Sequence, residues 1–141
     1  MSLSELKRFS LLAEFTESEC GDLMEVVDPA SVLADRTLFR EGGQADGLAL
    51  VLEGTVSLHS IRTGHRARVG SGAAIGAMSL VEVGPRESTA MSVTACEIMW
   101  LRRSDFRRLV DDSPRTACRL LEAIAADFAS RVRRELDTLT G

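Results

Sequence analysis

The sequence has no long hydrophobic run. The longest apolar stretch, Leu48 to Leu52, covers five positions, whereas a transmembrane helix needs about 20. The first residues carry charges at Glu5, Lys7 and Arg8, and no apolar segment of the kind that a signal peptide requires follows them. We therefore expect neither a membrane segment nor an export signal.

Cysteine and histidine are scarce. The three cysteines, Cys20, Cys96 and Cys118, form no Cys-x-x-Cys pair, and the two histidines are His59 and His65. The two histidines are too few, and too far apart in the sequence, to form a metal site such as that of a cupin enzyme, so we expect no metal. An odd number of widely spaced cysteines indicates free thiols in a reducing compartment. We therefore expect a cytoplasmic protein whose cysteines are mostly small buried side chains.

The sequence also lacks an excess of positive charge. It has 17 Lys and Arg against 21 Asp and Glu, for a net charge of −4. A domain that binds a nucleic acid duplex normally has a basic face, because each phosphate contact releases a counterion. We therefore do not expect nucleic acid as the main partner. The sequence shows no Ser-His-Asp order and no converging carboxylate pair, so we predict no catalytic residues and no enzyme activity.

What the sequence does contain suits one folded domain. It has 141 residues, of which 45% are hydrophobic and 27% are charged, close to average globular usage. No repeat or linker divides it, so we predict a single domain over residues 1–141. This domain has three zones: a helical N-terminus over 1–27, a strand-rich zone over 30–101, and helices over 104–139.

Glycines divide the middle zone into short segments. Between them, Leu48–Leu52 and Thr55–Ile61 flank a turn at Glu53-Gly54, and Thr89–Thr94 and Glu97–Leu101 form a later pair. Many short strands at this spacing are typical of a β-sandwich or a β-barrel. The zone contains nine glycines: 42, 43, 47, 54, 64, 70, 72, 76 and 84.

Helix-start signals mark both helical zones. The segment Thr16–Glu19 has the spacing of a capping box. Ser104-Asp105 is expected to cap a short helix over Phe106–Val110. Ser113-Pro114 then begins a long helix that extends to about Leu139.

The long helix has an apolar stripe along its length. Its first half can pack on the β body, and its second half is expected to extend beyond that body and to need a partner. A homodimer of coiled-coil type and a helix folded onto its own body both remain open. The stripe consists of Leu121, Ile124, Phe128, Val132, Leu136 and Leu139.

The segment Ile75–Ala90 predicts a site for an anion. A strand ends at Gly76, a helical turn begins at Ala77, and a Gly84-Pro85 turn delivers Arg86. The first N–H groups of a helical turn have no internal partner and favour phosphate oxygens. Glycine lets a ligand approach the backbone closely. The arginine adds a planar set of charged donors.

These residues resemble the motifs of one family. The arginine lies nine residues after position 77, a spacing found in the phosphate-binding cassette of cyclic nucleotide-binding domains. The cassette matches Ile75-Gly76-Ala77-Met78-Ser79-Leu80 and Pro85-Arg86-Glu87-Ser88-Thr89, and the flanking family motifs match Leu38–Asp46, Leu50–Gly54, Cys96–Leu101 and Asp105-Phe106. The chain is thus similar, from about residue 9 to 135, to the regulatory module of catabolite activator-type regulators, kinase regulatory subunits and some ion channels.

The resemblance implies a mainly β fold, an antiparallel eight-stranded β-roll flanked by N-terminal helices and a long C-terminal helix. It implies a regulatory sensor that binds cAMP, cGMP or a related small anion, and whose last helix moves to signal to a partner or a fused domain. No other cofactor is implied. The family roles carry over to the phosphate contacts Arg86, Met78, Ser79, Glu87 and Ser88, the ribose contacts Gly76 and Ala77, and the base-covering Arg131.

Two positions depart from the family pattern. Ala77 stands where the family has a glutamate that accepts a hydrogen bond from the ribose 2′-hydroxyl, and Glu87 stands where a small residue usually meets the phosphate. A carboxylate at position 87 would repel the phosphate, pair with Arg86, or turn to solvent. Three hypotheses therefore stay open: a cyclic nucleotide sensor, an interaction module with an empty pocket, and a sensor of another anion.

The resemblance also bears on partners. In the family the long helix forms a parallel dimer seam, which implies a homodimer. The family's DNA-binding regulators have a helix-turn-helix after this helix, and the sequence has no such segment before Gly141. We therefore expect no DNA-binding domain in this chain.

Overall fold

The computed structural model describes residues 3–82 and 84–140. The helices are α1 (Leu3–Leu6), α2 (Glu17–Met24), α3 (Arg103–Asp112) and α4 (Pro114–Thr140), and two 3-10 turns cover Ser10–Leu12 and Ala77–Leu80. The strands are β1 (Asp28–Val32), β2 (Thr37–Phe39), β3 (Gly47–Glu53), β4 (Val56–His59), β5 (Arg66–Val69), β6 (Ala74–Ile75), β7 (Thr89–Ser92) and β8 (Cys96–Arg102).

The eight strands form two antiparallel sheets of four. One sheet has the order β1-β8-β3-β6, and the other has the order β2-β7-β4-β5. In the first sheet Ala49 lies opposite Trp100 on one side and Ile75 on the other. In the second sheet Ala90 lies opposite Phe39 and Leu58. The expected eight-stranded antiparallel β-roll with flanking helices is therefore confirmed.

Both faces of β3 are buried, which explains its unbroken apolar sequence. Leu48 and Leu50 pack against the helices, in a cluster that includes Phe9 and Leu120. Ala49 and Val51 belong to the second cluster, between the two sheets. The chain thus has one core under its helices and another inside the β-roll.

The predicted turns connect strands that do not pair with each other. Gly54 lies between β3 and β4 with φ 98°, and a β-carbon there would lie 2.5 Å from the carbonyl oxygen of Ala95. These two strands belong to different sheets, and so do β7 and β8. The sequence pattern correctly predicts the strands themselves. The expected pairing of the two strands on either side of residue 95 is wrong, because the connection between them crosses from one sheet to the other.

Local hydrogen bonds fix the helix starts. The Thr16 hydroxyl accepts from the Glu19 N–H at 3.1 Å, and the Glu19 carboxylate accepts from the Thr16 N–H at 2.8 Å, which confirms the capping box. The helix α3 begins earlier than predicted: Arg102 is its N-cap. The prediction of a Ser104-Asp105 cap is wrong, because the Asp105 carboxylate reaches back to accept from the Arg102 N–H at 2.9 Å.

The helix α4 begins at Pro114 as predicted, and only its first half is buried. Ala117, Leu120 and Ile124 are its buried apolar residues, whereas Leu121 is half-buried. The rest of the stripe is exposed, with relative exposures of Phe128 49%, Val132 39%, Leu136 54% and Leu139 82%. The second half of the helix therefore extends beyond the body, as the stripe predicts.

The cysteines are free thiols in the structure. Cys20 and Cys96 are buried, as expected for small apolar side chains, and Cys118 is exposed. Across the described ranges, no helix combines the length and the hydropathy that crossing a membrane requires.

Candidate functional site

The strand β6 ends where the Ala77–Leu80 turn begins, and Gly76 makes the change of direction. Its φ is 77°, in the left-handed region that favours glycine. A β-carbon at this position would overlap Nη1 of Arg86 and would lie 3.2 Å from the carbonyl oxygen of Gly47. Glycine is therefore required both for the backbone conformation and for the close approach of the Arg86 guanidinium.

The backbone of Arg86 is fixed by the loop after β2. The Arg86 N–H donates to the Gly43 carbonyl at 2.7 Å, and the Gly42 N–H donates to the Arg86 carbonyl at 2.8 Å. The Ala45 N–H donates to the Gly84 carbonyl at 2.9 Å. Two antiparallel segments thus hold Arg86 beside the 77–80 turn, although Arg86 and this turn lie several residues apart in the sequence.

The Arg86 side chain is a buried cation with few partners. It is 7% exposed, its Nη1 donates to the Ser79 hydroxyl at 3.1 Å, and its guanidinium carbon lies 4.1 Å from the centre of the Phe39 ring. Its Nε has no hydrogen-bond partner, and none of the ion pairs found among residues 3–82 and 84–140 involves it. Burial lowers the pKa of Arg86, and the negative charge of Asp46 opposes part of that shift.

An unpaired buried guanidinium costs free energy, and an anion would remove that cost. The guanidinium of Arg86 is therefore chemically suited to pair with an anion.

Arg86 faces a cavity of about 640 Å³, within the usual range for small-molecule sites. The second sheet contributes Phe39, Leu58 and Val69 to the lining, and residues 77–79 of the turn and residues 84–88 also line the cavity. The helix α4 lines the cavity with Ile124, Asp127, Phe128 and Arg131. The β-roll and the last helix therefore meet around the same cavity.

The structure brings all the sequence-predicted site residues to this cavity. Ser79 and Arg86 are buried, whereas Met78, Glu87 and Arg131 are exposed. Which ligand groups they contact stays a prediction. The lining residues include Gly76, Ala77, Met78, Ser79, Arg86, Glu87, Ser88 and Arg131.

The two departures from the family pattern differ in their placement. Ala77 lines the cavity with a methyl group and offers no side-chain acceptor. Glu87 is exposed, and within the described part of the chain no ion pair joins it to Arg86. The pairing of Glu87 with Arg86 is thus absent among the described residues, and the exposed carboxylate lies at the cavity, where it can turn to solvent or face a bound phosphate.

Several lining residues were not predicted from the sequence. Phe39 lies in a family-like motif, but nothing in the sequence places its ring against Arg86, because the two lie on separate segments. Asp127 and Phe128 could have been identified, since they precede Arg131 by four and three positions and therefore share its helix face.

Glu41 has a structural role beside the cavity. Its carboxylate accepts from the Ile61 N–H at 2.7 Å, the Arg62 N–H at 3.2 Å and the Ser60 hydroxyl at 3.1 Å. The backbone N–H of Ile61 is the main cause that lowers the pKa of Glu41. The carboxylate holds the turn after β4, and this turn places Arg62 at the cavity.

The comparison with known proteins supports one family. A family model described as a cyclic nucleotide-binding domain matches residues 29–113. The cyclic AMP receptor protein of Thermus thermophilus is 33% identical over 112 residues, which cover 74% of this chain and 50% of that protein. The chain spans 34% and 50% of the length of two curated relatives that it matches.

Solved structures agree with this match. The N-terminal domain of a transcriptional regulator from Streptomyces coelicolor A3(2) is 30% identical with a TM-score of 0.78, over 95% of this chain and 93% of that one. A cyclic nucleotide-binding domain from Methylobacillus flagellatus KT is 25% identical with a TM-score of 0.79, over 98% of this chain and 80% of that one.

Proposed function

The chain belongs to the cyclic nucleotide-binding domain family, and on that premise we propose that it is a sensor in which Arg86 holds a small anion, with cAMP and cGMP as the first candidates. The observation that carries the proposal is the buried guanidinium, which has one hydroxyl partner at 3.1 Å and an unpaired Nε. A cyclic phosphate would supply the missing acceptors and the opposite charge.

The 77–80 turn would provide further donors to the same anion. The Ser79 N–H donates to the Gly76 carbonyl at 3.0 Å, so the amides of Ala77 and Met78 precede the first bond of the turn and have no partner within it. The Ser79 hydroxyl already contacts Arg86. Together these groups support a role in phosphate binding.

The helix α4 would transmit the binding event. It supplies one wall of the cavity through residues 124–131, so a ligand seated on Arg86 would contact it. A second connection runs through α3, where Arg103 Nη1 donates to the Ser79 carbonyl at 3.5 Å. A ligand can shift α4 only by the difference between its affinities for the two helix positions. The output would be a partner protein or a fused domain.

The departure at Ala77 predicts a reduced affinity for the ribose, and the carboxylate of Glu87 predicts a reduced affinity for the phosphate. A hydrogen bond to a charged group contributes about 1.5–3 kcal/mol, so the missing glutamate corresponds to roughly ten- to a hundredfold. Calorimetric titration of the chain with cAMP and with cGMP tests the proposal, and we expect saturable binding in the micromolar range of at least one of them.

The double variant Ala77→Glu, Glu87→Ser is the matched gain-of-function test. It restores the family acceptor and removes a carboxylate from the cavity rim, so we expect tighter binding than in the wild type. If neither protein releases heat with either nucleotide at millimolar concentration, cyclic nucleotide binding is overturned. A metabolite panel read by thermal stabilisation then tests the sensor of another anion.

A second candidate function is an interaction module that acts through α4 whether or not the cavity is filled. The exposed apolar residues of its second half favour this function: Phe128, Val132, Leu136 and Leu139. Such a stripe suits a parallel homodimer. The module would then position a partner or a fused domain by dimerisation.

A further inference from the structure

A groove of about 370 Å³ runs between residues 10–15 and residues 119–130 of α4. From the first segment, Leu11 and Phe15 line it and are 6% and 1% exposed. From α4, Ala123 and Ala126 line it, three positions apart and therefore on one face of the helix. Both sides of the groove thus offer apolar surface, and the small alanine side chains leave room for a larger apolar side chain between them.

The charged residues of the groove are mostly acidic. Glu14, Glu122 and Asp127 line it, against one basic residue, Arg119. The Nε of Arg119 lies 3.4 Å from Oε2 of Glu19, whose side chain is 9% exposed. The charge of Arg119 is therefore balanced by a carboxylate outside the lining, and the groove itself has an excess of negative charge.

Two of these carboxylates are not used by the fold. Glu14 and Glu122 are exposed, and none of the ion pairs found among residues 3–82 and 84–140 involves either of them. In contrast, Asp22 of α2 accepts from the Thr116 hydroxyl at 2.7 Å. Charges of one sign around an apolar groove concentrate their potential in it, so a cation that enters the groove gains acceptors without breaking an ion pair of Glu14 or Glu122.

We propose that this groove binds an amphipathic helix of a partner protein, with an apolar side chain between the two apolar sides and arginine or lysine residues beside Glu14 and Glu122. Charge complementarity selects this partner, because an acidic helix would be repelled and an apolar one would leave the carboxylates without counter-charges. Helices commonly bind to grooves in this way. The proposal goes beyond the proposed function and does not require a ligand at Arg86.

The groove and the anion cavity lie on different faces of the same helix. Asp127 lines both of them, whereas Ile124 and Phe128 line the cavity alone and Ala123 and Ala126 line the groove alone. A shift of α4 would therefore change the width of the groove. The partner helix would bind where it responds to the position of α4.

The probe is a set of three labelled synthetic peptides that share one helical pattern. The first has a stripe of leucine with arginine on both sides of it, the second has glutamate in place of each arginine, and the third has serine in place of each leucine. Fluorescence anisotropy measures their affinities for the full chain at about 0.15 M ionic strength. We expect the first peptide to bind about tenfold or more tightly than either of the others, because it alone matches both the apolar lining and the carboxylates.

Two variants test the two parts of the groove. Glu14→Gln combined with Glu122→Gln removes the unpaired carboxylates and is expected to weaken binding of the first peptide about fivefold. Ala126→Trp fills the groove from α4 and is expected to weaken it about tenfold or more.

Each variant has a matched control outside the groove lining. Glu53→Gln combined with Glu135→Gln removes two other exposed carboxylates, and Ala125→Trp places the same large side chain on the neighbouring exposed position of α4. Both controls are expected to bind the first peptide as the wild type does. Thermal unfolding without peptide shows whether each variant is folded, and the comparison of the three peptides on the wild type needs no variant.

The proposal is overturned if no peptide binds, if the three peptides bind equally, or if the groove variants bind the first peptide as tightly as their controls. A second copy of the chain is the other possible occupant. If sedimentation velocity shows a wild-type dimer that Ala126→Trp abolishes and Ala125→Trp keeps, the groove is filled by that copy and the partner helix is overturned. The proposed function is decided separately, by the nucleotide titrations.

Discussion

Arg86 is where stability and function oppose each other in this chain. Its guanidinium is 7% exposed, its Nε lacks a partner, and burial lowers its pKa. The Phe39 ring at 4.1 Å and the Ser79 hydroxyl offset only part of the cost of desolvation. We therefore expect Arg86, without ligand, to destabilise the fold that positions it.

We expect the Arg86→Met variant without ligand to gain about 1 kcal/mol in its free energy of unfolding, because an apolar side chain of similar length removes an unpaired buried charge. Urea unfolding of the two proteins measures this difference. A loss of about 1 kcal/mol or more would show that the existing contacts of Arg86 outweigh its desolvation.

Gly76 and Gly21 give opposite predictions for the same substitution. Gly76→Ala is expected to lower the free energy of unfolding by about 1–3 kcal/mol, since its φ of 77° is left-handed and a β-carbon would meet Arg86. Gly21→Ala, inside α2 with nothing within 4 Å of the added carbon, is expected to raise it by about 0.5–1 kcal/mol. Urea unfolding of both variants checks the sign, and equal effects would contradict the assigned role of Gly76.

At the scale of elements, two glutamates connect segments through backbone N–H groups. The Thr16 N–H is the main cause that lowers the pKa of Glu19, with a further contribution from Arg119. The Ile61 N–H does the same for Glu41. Groups with a lowered pKa stabilise the fold above their unfolded pKa and lose that contribution as the pH falls through the folded one.

We therefore expect the free energy of unfolding to decrease as the pH falls below about 4.3, the ordinary pKa of glutamate. Urea unfolding at pH values between about 3 and 7 measures the slope. The variants Glu19→Gln and Glu41→Gln are expected to flatten it, because they remove an ionised acceptor. A wild-type stability that rises on acidification would contradict the roles of both carboxylates.

The sequence predicted the elements that depend on neighbouring residues. The capping box at Thr16, the start of α4 at Pro114 and the turn after Gly76 each depend on a few consecutive positions. The pairing of strands did not follow from the sequence, since β3 and β4 are adjacent in the chain and lie in different sheets. For the same reason, the motif predicted the position of Arg86 in the site but not its contact with Phe39, because that contact depends on the distant strand β2.

At the scale of the whole molecule, α4 has a buried half and an exposed half. The exposed half carries the apolar stripe, and nearby charges such as Arg133 and Arg134 flank it. A second copy of the chain is the partner that the family resemblance implies. The cavity and this stripe share one helix, so dimerisation and ligand binding would affect each other.

We expect sedimentation velocity to show a concentration-dependent dimer, and the double variant Val132→Asp, Leu136→Asp to remain monomeric at the same concentrations. Both residues are exposed and lie outside the cavity lining. Ser130→Asp, an exposed position about 200° around the helix from Val132, is the matched control and is expected to dimerise. A wild type that stays monomeric at high concentration would contradict the dimer.

The most direct test of the anion site is the affinity of the wild type and of Arg86→Met for the tighter-binding cyclic nucleotide, measured by calorimetric titration at one pH and one salt concentration. We predict saturable binding to the wild type and a loss of about a hundredfold or more in the variant, because the buried charge that pairs with the phosphate is gone. Equal affinities in the two proteins would contradict the assignment of Arg86 as the anion ligand.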